Sequence, residues 1–181
     1  MTAPIILYVV RHGIAEADAP KGGDRARRLT PSGRAKVRRI GRGLRRLKVK
    51  ADVLLTSPLP RASETAALLA EEHGALPAPT TLAALATGSA PLETLRALGR
   101  YAQRGSLMII GHEPGLSQLV SVLLTGSPDG VAIELRKGAC AALELDRLAP
   151  RRATLLWLHT PRALRRLGRG KRQWGSLPGG T

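Results

Sequence analysis

The chain has 181 residues, enough for one domain with a sizeable hydrophobic core, and its single cysteine excludes an intramolecular disulfide. The net charge of +16 suggests a polyanionic partner, but two tryptophans and two tyrosines cannot form a stacking platform for single-stranded bases. No apolar run is long enough to span a bilayer, and no signal segment opens the chain. We therefore expect one cytoplasmic domain over residues 1–167, without membrane insertion, followed by a flexible basic tail over residues 168–181.

The first predicted strand, residues 5–10, is a run of six apolar residues, which is typical of a strand buried on both faces of a parallel sheet. It leads directly into Arg11, His12 and Gly13. Open α/β sheets bind ligands at the carboxyl ends of their strands, so these residues are predicted to face a crevice. Taken alone, the tripeptide is equally consistent with a turn that holds a hydrogen-bonded histidine.

A basic amphipathic helix is predicted to follow a loop over residues 14–28, with Thr30 as its N-cap and Pro31 at its first position. One face is apolar: Val37, Ile40, Leu44 and Leu47. Arginines and lysines cover the rest of the helix. We interpret this charged face as a solvated surface, with a dedicated polyanion site as the alternative.

The second predicted strand, residues 53–56, leads through Ser57 into a helix over residues 60–72. Arg61 lies in the first turn of that helix, where the helix dipole opposes a cation unless an anion binds nearby. His73, at the end of the helix, is interpreted as a solvated cation. The following residues, 75–90, show little regular pattern and are expected to form a loop.

The third predicted strand, residues 107–110, repeats the arrangement of the first, because it runs directly into Gly111 and His112. A helix over residues 91–104 precedes it. An amphipathic helix that ends at Gly126 follows it.

Two further strands, over residues 139–145 and 154–159, are predicted to pair as an antiparallel edge. Cys140 lies in the first of them and is expected to be a core residue. The predicted fold is therefore a three-layer α/β domain with a mainly parallel central sheet, helices on both faces and no large cap insertion.

The carboxyl ends of parallel strands meet at one edge of a sheet, so two histidines and two arginines are predicted to converge: Arg11, His12, Arg61 and His112. Two guanidiniums suit a tetrahedral dianion such as phosphate. No Walker loop or carboxylate cluster is present. Two histidines lack a third ligand for zinc, and adjacent arginines would repel a dication, so we expect no metal.

Four motifs follow one another along the chain, each at a strand end or a helix start. They are Arg11-His12-Gly13, Leu29-Thr30 with Gly33, Ser57 to Ala62 with Thr65-Ala66, and Gly111-His112. In this order they resemble the histidine phosphatase superfamily. The short chain and the Gly-His-Glu-Pro-Gly form of the last motif are most similar to its SixA-type phosphohistidine phosphatases. The resemblance implies a phosphatase pocket that needs no metal or other cofactor.

The resemblance also implies a role for each matching residue. His12 would be the nucleophile that takes the phosphoryl group, and water would then hydrolyse the phosphohistidine. Arg11 and Arg61 would neutralise the phosphoryl oxygens, and His112 would donate to them. Gly13 would let the backbone approach the phosphate, and Arg27 matches a position where SixA-type members place a further basic residue near it. The nucleophile must be neutral, and a backbone carbonyl that accepts from Nδ1 would leave Nε2 free.

One departure from the family pattern concerns the proton donor, because residues 82–90 contain no aspartate or glutamate where many members place a general acid. The available substitutes are Glu16, Asp18, Glu93 and Glu113. A missing acid impairs the departure of an alkoxide more than that of an imidazole that is already protonated. This favours phosphohistidine on a protein as the substrate, and a pocket without a large cap fits a protein.

Two other functions stay open at this point. A basic helix and a basic tail could belong to a nucleic-acid or polyanion binder that keeps an inactive phosphatase-like pocket. A broad phosphatase of small metabolites is the other alternative.

Overall fold

The computed structural model describes residues 4–17, 21 and 23–169 and contains one six-stranded sheet. The strands are β1 (Ile5–Arg11), β2 (Val53–Thr56), β3 (Pro79–Thr81), β4 (Ser106–Gly111), β5 (Cys140–Leu145) and β6 (Ala153–His159). Their spatial order is β3-β2-β4-β1-β5-β6. The first four strands run parallel, while β5 is antiparallel to both β1 and β6. The predicted parallel sheet with an antiparallel edge is confirmed.

Five helices cover the two faces of the sheet: α1 (Pro31–Arg46), α2 (Pro60–His73), α3 (Pro91–Leu98), α4 (Gly115–Thr125) and α5 (Pro161–Leu167). Residues of α1, α2 and α5 share one buried apolar cluster, and residues of α3 and α4 share the other. Strand β1 contributes Val10 to the first cluster and Leu7 and Val9 to the second. The two clusters confirm the predicted three-layer α/β architecture.

The start of α1 follows the sequence prediction, because Thr30 Oγ1 accepts a hydrogen bond from the Gly33 N–H at 2.9 Å and Pro31 opens the helix. Glycines at 41 and 43 cost an isolated helix about 1 kcal/mol each relative to alanine. A Cβ on Gly43 would overlap the carbonyl oxygen of Leu164, and one on Gly41 would lie 3.0 Å from Glu72 Cβ. These glycines therefore allow α1 to pack closely against α5 and α2.

The structure corrects the predicted secondary structure at three places. The predicted loop over residues 75–90 contains β3 and a 3-10 turn, Ala83–Leu85. All three residues of β3 are exposed, so this edge strand shows no apolar alternation in the sequence. The helix predicted to reach residue 104 ends at Leu98 and continues as a 3-10 turn, Gly99–Tyr101. Helix α5 was not predicted, because only Leu164 of its seven residues is buried.

His73 is also corrected, because its side chain is buried and only 4% exposed. Burial, followed by the charge of Arg45, lowers its pKa. The sequence does contain the signal: His73 lies four residues after Leu69 and therefore on the same buried face of α2.

The remaining expectations concern the strand pair and the chain end. Cys140 is buried, and burial raises the pKa of its thiol. No helix among the described residues is long and apolar enough to cross a membrane. The predicted tail lies outside the described residues except for Gly168 and Arg169. Arg46 Nη1 donates to the Arg169 carbonyl at 2.8 Å.

Candidate active site

His12 follows the last residue of β1, and the register of the sheet places it beside the end of β4. Arg11 pairs with Gly111, and the His12 N–H donates to the Gly111 carbonyl at 3.2 Å. The ring nitrogen Nδ1 lies 2.7 Å from the Gly13 carbonyl oxygen, so Nδ1 carries the proton and donates. The other ring nitrogen, Nε2, therefore holds a free lone pair.

The environment of His12 keeps its imidazole neutral. The residue is 5% exposed. Burial, followed by the nearby His112, Arg61 and Arg11, lowers the pKa of His12 from 6.5 to about 3. A neutral ring with a free Nε2 is the form of histidine that acts as a nucleophile.

Gly13 links the end of β1 to helices α1 and α2. Its N–H donates to Thr65 Oγ1 at 3.0 Å, and the Thr65 hydroxyl donates to the Arg61 carbonyl at 2.6 Å. A Cβ at position 13 would lie 2.5 Å from Val37 Cγ2 and 3.2 Å from Leu29 Cδ2. Only glycine permits this approach, which sets the His12 ring close to the start of α2.

His112 directly follows β4, and its ring centroid lies 5.0 Å from that of His12. Its Nε2 lies 2.8 Å from the Ser57 hydroxyl, whose oxygen accepts the Leu59 N–H at 3.2 Å. Burial, followed by the charge of Arg61, lowers the pKa of His112 to about 4. The buried Nδ1 has no partner among the described residues. Sequence reasoning predicted the position of His112 but not its contact with Ser57.

Arg61 lies in the first turn of α2 with 2% of its surface exposed. Its Nη1 donates to the Asp24 carbonyl at 2.6 Å, and its Nη2 donates to Asp24 Oδ2 at 2.9 Å. The sequence indicated that a cation at this helix start requires a nearby anion. In the structure that anion is Asp24, in the 3-10 turn Gly23–Ala26.

Arg27 belongs to the same cluster because it shares Asp24 with Arg61. Its Nε donates to Asp24 Oδ1 at 2.9 Å, and its Nη1 donates to the Glu16 carbonyl at 2.9 Å. Hydrogen bonds from Arg27 and Arg61 lower the pKa of Asp24. The sequence analysis did not identify Asp24. The three-residue spacing from Asp24 to Arg27, which suits an ion pair within a helical turn, is the signal that could have found it.

Arg11 approaches from β1. Its Nη1 donates to the Leu135 carbonyl at 2.9 Å, and its buried Nε has no partner among the described residues. Arg61 Nε is also buried and has no partner among the described residues. Buried donors without a partner are rare and costly, and three of the unpartnered buried atoms in the described part of the chain, Arg11 Nε, Arg61 Nε and His112 Nδ1, belong to residues to which the family resemblance assigns phosphate binding.

Of the four substitutes for a general acid, the three that the structure describes, Glu16, Glu93 and Glu113, make no side-chain hydrogen bond to His12 or His112. The Glu16 carboxylate accepts from the Arg28 N–H, and Glu113 accepts from the Ser117 hydroxyl at 2.5 Å. Glu93 is exposed, and Asp18 lies outside the described residues. No group of three potential metal ligands is found within the described ranges.

Known proteins resemble this chain both in sequence and in fold. Residues 7–86 match the sequence model of the histidine phosphatase superfamily, branch 1. An uncharacterized protein of Picosynechococcus sp. (strain PCC 7002) is 34% identical over 142 residues, which cover 76% of this chain and 83% of that protein.

Two solved structures share the fold. The protein histidine phosphatase SixA complexed with tungstate matches with a TM-score of 0.77 and 25% identity, covering 88% of this chain and 99% of that chain. A candidate phosphohistidine phosphatase SixA from Agrobacterium tumefaciens matches with a TM-score of 0.74 and 18% identity, covering 88% of this chain and 100% of that chain.

The family match and the fold define this protein as a phosphatase. The chain belongs to the histidine phosphatase superfamily, and within that superfamily it is similar to the SixA proteins.

Proposed function

We propose that this phosphatase hydrolyses phosphohistidine on a protein through a covalent phosphohistidine on His12. The observation that carries the proposal is the arrangement of the His12 ring. Its Nδ1 is held by the Gly13 carbonyl, and its Nε2 is free beside Arg61 and His112. The lowered pKa of His12 keeps the nucleophile uncharged throughout the neutral range.

The first half of the reaction transfers the phosphoryl group to the enzyme. Nε2 of His12 attacks phosphorus, the bond from phosphorus to the substrate nitrogen breaks, and its electron pair returns to the substrate ring. The His12 ring becomes cationic, and the Gly13 carbonyl stabilises it by accepting from Nδ1–H. In the second half, water attacks phosphorus, and the bond from phosphorus to His12 Nε2 breaks with its electron pair returning to the ring. Phosphate leaves with both protons of the water, and His12 returns to its neutral form.

The phosphoryl oxygens would be held by groups that are already in place before substrate binds. The guanidiniums of Arg11 and Arg61 supply two permanent positive charges, with Arg27 joined to the same cluster through Asp24. His112 would donate from Nδ1–H, with its Nε2 accepting a hydrogen bond from the Ser57 hydroxyl. Preorganised donors of this kind give phosphoryl transfer most of its acceleration. Because guanidiniums provide the charge, we expect turnover without a metal ion or other cofactor.

The leaving group favours a phosphoramidate substrate. None of the candidate acids that the structure describes hydrogen-bonds to His12 or His112, so these residues offer no positioned proton to a departing alkoxide. A phosphohistidine ring that is protonated on its second nitrogen leaves as neutral imidazole. The similarity to SixA, solved with the tetrahedral oxyanion tungstate, supports the same class of substrate.

The test is phosphate release from a histidine-phosphorylated protein in excess EDTA, comparing wild type with His12→Ala. We expect wild-type turnover to survive EDTA and the variant to lose at least about a thousandfold, because it lacks the nucleophile. A matched control is His159→Gln. His159 lies on β6 and stacks on Trp157 at 4.8 Å, so its variant should stay within about twofold of wild type.

Other outcomes would select other functions. Comparable turnover of a sugar phosphate would favour a broad small-molecule phosphatase. Salt-sensitive polyanion binding without turnover, unchanged in His12→Ala, would favour a binding protein.

A further inference from the structure

The carboxylate of Asp24 lies at the solvent-exposed side of the candidate active site. Asp24 Oδ2 accepts from Arg61 Nη2 at 2.9 Å, and its Oδ1 accepts from Arg27 Nε at 2.9 Å. The side chain of Asp24 is 54% exposed, whereas that of Arg61 is 2% exposed. The carboxylate therefore lies where the buried guanidinium meets solvent, and part of it stays open to an incoming molecule.

Asp24 is not suited to be the missing proton donor. Arg27 and Arg61 both hydrogen-bond to its carboxylate oxygens, which favours the ionised form. An ionised carboxylate has no proton to give and can only accept hydrogen bonds. It attracts a positively charged group and repels a negative one.

The direction of phosphoryl transfer brings the leaving group to this carboxylate. His12 is 5% exposed, so its Nε2 attacks phosphorus from the floor of the pocket. In an in-line displacement the leaving group departs on the opposite side of phosphorus. Since His12 and Arg61 are buried and the Asp24 side chain is 54% exposed, the side of the site that opens to solvent is the one on which Asp24 lies.

We propose that Asp24 determines substrate specificity by accepting a hydrogen bond from the protonated ring nitrogen of a phosphohistidine leaving group. This inference rests on the proposed function, because it concerns the leaving group of that reaction. The bond from phosphorus to nitrogen breaks, its electron pair returns to the ring, and the ring departs as neutral imidazole with its other proton still in place. The phosphorus forms its new bond to His12 Nε2.

Two consequences follow for the substrate. The negative charge of Asp24 keeps the substrate ring protonated, so that imidazole rather than an imidazolide anion leaves. The same charge repels a developing alkoxide, which disfavours phosphate esters of alcohols. Asp24 would thus replace the general acid of other family members with a group that selects a cation.

The experiment compares Asp24→Asn with wild type on two substrates, a phosphohistidine peptide and p-nitrophenyl phosphate. We expect kcat/KM for the peptide to fall about tenfold or more. The value for p-nitrophenyl phosphate should stay within about twofold or rise, because its leaving group is an anion that needs no proton. The alkaline limb of kcat for the peptide should move to lower pH, because the asparagine no longer favours the protonated ring. Asp24→Glu should retain most of the preference for the peptide.

The matched control is Glu71→Gln, which removes a carboxylate of similar exposure, 59%, that pairs with Arg38 on the outer surface. Its kcat/KM should not change for either substrate. Thermal unfolding of each variant checks that the fold is intact.

Two results would overturn the inference alone. An equal fall on both substrates would mean that Asp24 only positions Arg61 and Arg27. A rise on both, with tighter inhibition by tungstate, would mean that Asp24 competes with phosphate for these arginines. By contrast, wild type that hydrolyses p-nitrophenyl phosphate but not the phosphohistidine peptide would overturn the proposed function as well.

Discussion

Arginine–carboxylate pairs occur in two regions of this molecule with opposite surroundings. On the outer surface, Arg38 and Arg42 of α1 pair with Glu71 and Glu72 of α2, and every partner keeps contact with water. In the pocket, Arg61 is nearly fully buried and shares Asp24 with Arg27. Surface pairs contribute little because water screens them, whereas the charge of a buried guanidinium is screened much less.

Part of the basic surface behind the net charge of +16 is already paired within the molecule. Part of the basic face of α1 is already paired with glutamates of the same molecule, and Arg46 donates to the carbonyls of Leu167 and Arg169. Net charge alone is therefore a poor guide to a polyanion partner. The arginines that we propose to bind phosphate differ from the surface arginines in their burial and their convergence on one site.

Among the changes that separate these two regions, the largest expected effect comes from Arg61→Lys. Lysine keeps the charge but cannot reproduce the planar set of donors, so kcat/KM on a phosphohistidine peptide should fall about 10²–10³-fold. The control is Arg38→Lys on the outer surface, which should stay within about twofold. Equal losses in both variants would contradict the distinction between the two regions.

A smaller effect is expected from Gly13→Ala, which would place a methyl group 2.5 Å from Val37 Cγ2 in the floor of the pocket. Overpacking of this kind costs about 1–3 kcal/mol of the free energy of unfolding. Urea denaturation measures it. Gly99→Ala, with no heavy atom within 4 Å of the added Cβ, should be neutral or slightly stabilising. If Gly13→Ala were as stable as wild type, the close approach at Gly13 would have to be rejected.

The two buried histidines of the site, His12 and His112, should make the stability of the folded protein depend on pH. The pKa values of His12 and His112 are lowered to about 3 and about 4, while an unfolded histidine titrates near 6.5. Their neutral forms therefore favour the folded state fully above pH 6.5, and this stability is lost as pH falls toward 4 and then 3. Ring-proton NMR should show no titration of either residue between pH 8 and 5, with a denatured sample as control. Titration near 6.5 in the folded protein would contradict the burial argument.

The smallest effect is expected on the outer surface. Arg42→Gln removes the bond to Glu72 but should leave kcat/KM unchanged. Its small effect on thermal unfolding should vanish in 1 M salt, because screening removes most of what an exposed pair contributes. A stability loss that persists in high salt would mean that packing of the Arg42 stem, rather than its charge, holds α1 to α2.

Much of the site follows from sequence because it depends on strand ends. Apolar runs locate β1 and β4, and parallel pairing then brings His12 and His112 to one edge. Arg61 can be identified from the sequence because a cation in the first turn of a helix is unfavourable unless an anion lies nearby. The roles of these residues stay predictions, but their convergence is a property of the fold.

Other features depend on contacts through space that no local pattern reports. Asp24 is separated from Arg61 by 37 positions, and the bond from His112 to Ser57 spans 55. Strand β3 is too short and exposed to show alternation, and α5 buries a single leucine. Among the missed features, the burial of His73 could have been predicted from the periodicity of its own helix.

The central place of β1 has a consequence for synthesis of the chain. This strand leaves the ribosome before the other strands, yet it pairs with β4 on one side and β5 on the other, so both of its edges wait for residues beyond 105. At about 5–20 residues per second, His112 follows His12 by roughly 5–20 s. A nascent chain therefore carries the proposed nucleophile well before the sheet that positions it exists, and the site can form only after β4 and β5 have been made.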